Sequence, residues 1–164
     1  MGIIKLGLIS LFVFALIITG FSLFIPSHIR ISKAIDINVN KDSVMSQVSD
    51  ANNWKQWYPG ADSMELLLLD GKVKGIYSKT DQRIIITAVN DSTVLAVNSG
   101  ANSKGGEIGW NFFPNTNSTT TIQWYMDFHL KWYPWEKFSS LMLEKRYGPI
   151  MEKGLANLKT LLEK

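Results

Sequence analysis

Three hydrophobic rhythms succeed one another along this chain, and each predicts a different kind of element. From Leu6 to Ile25 the sequence reads LGLISLFVFALIITGFSLFI, without a single charge. About 20 such residues, each rising 1.5 Å in a helix, cover a hydrocarbon core of roughly 30 Å. The run exceeds the roughly 7–15 residues of a secretory leader's apolar region. Phe21 and Phe24 also crowd the place where a small-residue cleavage pattern would stand. Residues 1–26 are therefore expected to form a retained transmembrane anchor, and residues 27–164 one folded domain. Lys5 before the run, and Arg30, Lys33 and Lys41 after it, leave the side occupied by the domain open.

The second rhythm has period two. Ile29, Ile31, Ile35, Ile37 and Val39 share one face, against Arg30, Ser32, Asp36 and Asn38 on the other, which predicts a half-buried strand. Lys33 is the polar exception on the apolar face and is expected near an edge, where its ammonium reaches water. Asn40 and Asp42 offer caps for a short helix through Val44, Met45 and Val48. Asp50 offers one for a turn through Trp54 and Trp57, which Pro59-Gly60 ends. Those two indoles fall on one helical face, as core plugs or at a pocket mouth. Strand and turn then alternate: Met64–Leu69, the hairpin signal Asp70-Gly71, Val73–Tyr77, Arg83–Val89, Asn90-Asp91-Ser92, Thr93–Val97. After a Gly/Asn/Ser loop from Ser99 to Gly106 come Glu107–Phe113, a turn at Asn115–Ser118, and Thr120–Leu130. Ile108, Trp110 and Phe112 share a face, as do Ile122, Trp124, Met126, Phe128 and Leu130, so the sheet has an aromatic inner side.

The third rhythm is helical. Phe138, Leu141 and Met142 suggest a helix, Gly148-Pro149 is expected to bend or restart it, and Met151, Leu155, Leu158 and Leu162 form an apolar stripe. Gly154 beside that stripe weakens the helix unless a close contact needs its missing side chain. The fold class is thus α+β: an antiparallel sheet, apolar on one face and covered by the long terminal helix.

Composition adds mostly exclusions. The chain has 164 residues, no cysteine and a formal charge of +3. Thiolate catalysis, disulfides and Cys-containing zinc sites are excluded. Nucleic-acid binding is not expected, because the basic residues are scattered. Gly105-Gly106 lacks the strand-to-helix context of a phosphate loop, and no G-x-S-x-G elbow or metal-ligand spacing occurs. His28 stands at the membrane boundary. His129 shares the polar strand face with Asp127, expected to look at water. The separation of Glu144 and Glu152 cannot be read across Gly148-Pro149. Trp132-Tyr133-Pro134-Trp135 is a cavity lid, a membrane-interface anchor or packing at the sheet–helix junction.

Particular residues carry a family resemblance. Ile37-Asn38-Val39, Val44, Val48-Ser49-Asp50 and Asn53-Trp54-Lys55-Gln56-Trp57-Tyr58-Pro59 resemble the opening of the SRPBCC superfamily, which includes START-like, Bet v 1-like and polyketide cyclase/dehydrase-like proteins. The closing stretch Gly148 to Lys159 resembles bacterial members with an amino-terminal membrane helix. The chain departs from the pattern at Val39-Asn40-Lys41, where an Ala-Pro-Pro type of turn is common, and at Met45, where an aromatic is frequent.

The resemblance implies a helix-grip fold, a curved sheet wrapped around the terminal helix with an apolar cavity between them. A hydrophobic small molecule or lipid is the implied ligand, and a bacterial cell membrane the implied location. The expected cavity wall is Trp110, Phe112, Trp124, Met126, Phe128, Leu155 and Leu158, with Gln123, Arg83 and Tyr77 as polar candidates. No catalytic residue, metal or cofactor is carried over. A cyclase/dehydratase-like enzyme and a co-chaperone-like interaction module are the alternatives, because one such fold hosts many activities. Oligomeric state is left open.

Overall fold

The structure, a computed structural model, describes residues 2–79, 81–100, 106–116 and 118–164, with Thr116 described by its backbone alone. Most of the loop expected from Ser99 to Gly106, including Gly105, lies outside the described residues, as does Asn117 of the Asn115–Ser118 turn.

Helix α1 (Gly2–Ser22) leads to strand β1 (His28–Ile37), helix α2 (Lys41–Ser49) and two short 3-10 turns at Ala51–Gln56 and Ala61–Ser63. Six strands follow: β2 (Glu65–Leu69), β3 (Lys72–Tyr77), β4 (Arg83–Asn90), β5 (Thr93–Ser99), β6 (Gly106–Thr116) and β7 (Thr119–His129). Helices α3 (Pro134–Ser140) and α4 (Leu143–Leu162) close the chain. The strands form one curved antiparallel sheet in the order β1-β7-β6-β5-β4-β3-β2. With the long carboxy-terminal helix this is the helix-grip fold.

Local chemistry accounts for most of these boundaries. Asn40 caps α2 by accepting from the Ser43 N–H at 2.9 Å, and Asp50 caps the next turn by accepting from the Asn52 N–H at 3.0 Å. Asp70 and Gly71 both adopt positive φ, 53° and 73°, as a two-residue hairpin between right-twisting strands requires. Register shifts at Leu67/Leu68, Ile86/Ala88 and Pro114/Thr116 mark bulges, which bend strands and increase twist.

The terminal helix differs from expectation at one point. Pro149 lies inside α4, which runs unbroken from Leu143, and the break falls earlier, between α3 and α4. A proline forfeits one intrahelical hydrogen bond; packing of Met151, Leu155 and Leu158 against the sheet holds the helix. Its far end is tied to β1 and the following turn: Lys159 Nζ donates to the Asp36 carbonyl at 2.8 Å, and the Asn38 N–H to Glu163 Oε1 at 2.7 Å.

Candidate functional site

The inner face of the sheet has two unlike ends. At one, Trp54 and Trp57 from the first 3-10 turn, with neighbouring Tyr58, meet Trp110 of β6 and Trp124 of β7, with contacting ring centroids 5.1–6.5 Å apart. The edge-on and tilted geometries suit the aromatic quadrupole. Trp54 and Trp57 are thus core plugs, fully buried, and their indole N–H groups donate to the carbonyls of Val48 and Gln47 at 2.8 and 3.3 Å. Burial pushes the Tyr58 hydroxyl well above its ordinary pKa, so it stays neutral. Gly154 explains itself here: a Cβ would stand 2.6 Å from the Trp124 ring and 2.9 Å from Pro59. The helix passes where no larger residue fits.

Trp110 and Trp124 differ from their neighbours. Both are fully buried, yet neither Nε1 has a hydrogen-bond partner among the described residues. An unmet buried donor costs about 1–3 kcal/mol. Of the other expected wall residues, Phe112, Met126, Phe128, Leu155 and Leu158 are all buried in the same apolar cluster.

At the other end the packing opens. Phe128 of β7 rests against Tyr147 of α4, ring centroids 5.2 Å apart. Beside them lies a groove of about 540 Å³ lined by Phe128, Ser139, Met142, Leu143, Lys145, Arg146 and Tyr147. Its walls are aromatic and aliphatic, with two exposed cations on its lining. Of the seven expected wall residues, Phe128 is the one that lines it. The α3–α4 residues were missed because an exposed junction between helices has no periodicity to betray a concavity.

Next to the groove Lys33 crosses from β1 to α4. Its ammonium lies 2.8 Å from both Glu144 and Glu152, and its stem passes over Gly148. The hydrogen bonds that the ammonium donates to these carboxylates raise its pKa above the usual lysine value. Glu144 and Glu152 thus clamp one cation rather than forming a free acid pair.

The histidines occupy the opposite face. His28 and His129 are cross-strand partners and stack at 4.8 Å. Asp127 does not look at water as expected: it is buried, with Arg30 Nε and Nη2 donating to its two carboxylate oxygens at 2.8 and 2.5 Å. His28 Nε2 lies 3.2 Å away. The Arg30 hydrogen bonds hold the Asp127 carboxyl below its ordinary pKa. Arg30 also lies over the Tyr125 ring, 4.2 Å from its centroid, and that ring occupies the space a side chain on Gly109 would need. This is an ion pair on the sheet's outer side, with its carboxylate buried and its guanidinium half-exposed.

The polar candidates are engaged elsewhere. Gln123 Oε1 accepts from Asn111 Nδ2 at 3.2 Å, Arg83 pairs with Asp81, and the Tyr77 hydroxyl donates to Glu65 at 2.6 Å.

With this geometry in hand, residues 28–163 match the family described as polyketide cyclase / dehydrase and lipid transport. The chain belongs to that family, within the SRPBCC superfamily. Solved structures of similar shape include a START superfamily protein from Mycobacterium smegmatis, 18% identical, TM-score 0.65, covering 82% of this chain and 97% of that one. The Zhui aromatase/cyclase from a Streptomyces species is 13% identical, TM-score 0.62, covering 83% and 94%. Norcoclaurine synthase from Thalictrum flavum, solved with dopamine and hydroxybenzaldehyde, is 15% identical, TM-score 0.61, covering 83% and 87%. At these identities the likeness is one of fold. No curated protein matches the chain.

Proposed function

We propose that this family member is held in a membrane by α1 and binds a hydrophobic small molecule or lipid between its sheet and terminal helix. The groove at the Phe128–Tyr147 end carries the reading. Its volume falls within the roughly 300–1,000 Å³ of small-molecule sites, and such sites combine apolar walls with a few orienting polar groups. Phe128 belongs both to the groove and to the inner row. A guest seated there rests on Phe128 and Tyr147, at the edge of the ring-packed part of the inner row. Lys145 and Arg146 on the lining supply orienting donors for a polar or anionic group on that guest.

Helix α1 supports the anchoring half: it spans 21 residues, is long and apolar enough to cross a bilayer, and exposes its side chains almost throughout. The family description, which includes lipid transport, agrees with a hydrophobic guest.

Native mass spectrometry of the full chain released from detergent, followed by organic extraction, tests binding. A bound apolar species is expected, lost on Leu143→Arg. A chain that is always empty and takes up no fluorescent lipid analogue overturns this reading. Alkaline extraction of membranes tests anchoring: the intact chain should stay in the pellet, and a shortened or released chain overturns it.

A further inference from the structure

Helix α3 is folded inside out. A helix packed on a protein in water hides its apolar stripe and shows its polar one. In α3 the polar residues Lys137 and Ser140 are 4% exposed. Trp135 is 67% exposed and Phe138 40%, and Leu141 and Met142, which follow, are 67% and 63% exposed. Trp132, just before the helix, is 64% exposed. Single exposed apolar residues are ordinary on protein surfaces, but a contiguous apolar face marks a contact surface.

The inward lysine shows where this face sits. Lys137 Nζ donates to the Ile25 carbonyl and to Ser27 Oγ, both at 2.7 Å, in the short segment between α1 and β1. Helix α3 also packs against α1 itself, whose end is half-buried from Ile18 to Gly20 and buried at Ser22. The outward apolar face therefore starts at the level where α1 ends, and it continues the exposed side chains of Phe21, Leu23 and Phe24.

We propose that the Trp132–Met142 face is seated in the interfacial layer of the bilayer that α1 spans. The occupant of this face is lipid. Tryptophan and tyrosine favour the headgroup level, where an amphipathic ring meets both phases. Lys131, Lys145 and Arg146 flank the face, and none makes an ion pair among the described residues, which suits anionic headgroups. Glu136, the acid within α3, is turned back to accept the Lys131 N–H at 2.9 Å. Met142 and Ser139 belong to the groove as well, so this seating turns the groove mouth toward lipid. The proposal rests on α1 being a retained span.

The test uses the full chain in phosphatidylcholine vesicles, with and without phosphatidylglycerol, carrying phospholipids brominated near the headgroup. Trp132 and Trp135 should be quenched and blue-shifted, while the buried core indoles are untouched. Trp132→Phe with Trp135→Phe should remove most of the quenching and leave the near-UV circular dichroism of the core unchanged. Leu141→Asp with Met142→Asp, which keeps both reporters, should shift their emission to the red. A chain that resists alkaline extraction yet shows unquenched, water-like Trp132 and Trp135 overturns the docking while the anchor stands. Release by alkali overturns both. A dimer in detergent whose contact shields Trp132 and Trp135 also overturns it, in favour of a second copy of the chain.

Discussion

The ring-packed end of the inner face and the α3 end are built from the same residue types on opposite rules. Around Trp124, indoles meet one another edge-on and Gly154 lets the helix come close. Around α3, indoles and aliphatic chains point away from the domain while a lysine ammonium takes the interior position. Hydrophobic spacing marks which residues share a face. It does not say whether that face meets protein or another apolar phase.

The strongest way to break this contrast is Trp124→Ala, which removes a fully buried ring touching Trp57, Tyr58 and Trp110. A loss of about 3–5 kcal/mol is expected in denaturant unfolding of the full chain in micelles. A value below about 1 kcal/mol would mean that this end is not close-packed after all. Release of its unmet N–H moves the loss toward the lower end of that range.

Asp127→Ala comes next, at about 1.5–3 kcal/mol for hydrogen bonds to a charged group. Because Arg30 holds this carboxyl below its ordinary pKa, the pair stabilises the fold fully above the unfolded carboxylate's pKa near 4. That contribution disappears as pH falls through the lower folded value. The variant should therefore show a shallower acid limb in a plot of stability against pH, and an unchanged limb would assign acid sensitivity to other groups.

Gly154→Ala sharpens the contrast from the helix side. Its added methyl meets Trp124 and Pro59, and about 1–3 kcal/mol of overpacking cost is expected. The smallest effect belongs to the other end. Trp132→Ser with Trp135→Ser should change unfolding by within about 0.5 kcal/mol in micelles, because neither ring is packed into the core. A large loss there would make α3 part of the core and erase the difference between the two ends.

Much of the architecture could be read directly from the chain, since its signals are local. The Asn40 and Asp50 caps, the Asp70-Gly71 hairpin and the alternation on β6 and β7 each depend on a few neighbouring residues. Gly154 was legible as either a weak point of the helix or a close approach, and the contact with Trp124 and Pro59 makes it the second. Asp127 was misplaced because its partner Arg30 lies 97 residues away and meets it only through the β1–β7 register. The groove was not visible either, since it forms where Phe128 from the sheet meets the start of α4, two segments with unrelated periodicities.

Sequence alone determined the α+β outline of a one-sided sheet under a terminal helix, the apolar leading helix and the identity of the inward aromatic row, because alternation and helical stripes encode which residues share a face. Tertiary structure decided which part of that row is packed solid, where a groove opens, and that α3 turns its lysine inward and its tryptophan outward. Those outcomes depend on which distant surfaces meet, and a residue's neighbours across space are set by sheet register and helix placement rather than by its neighbours in the chain.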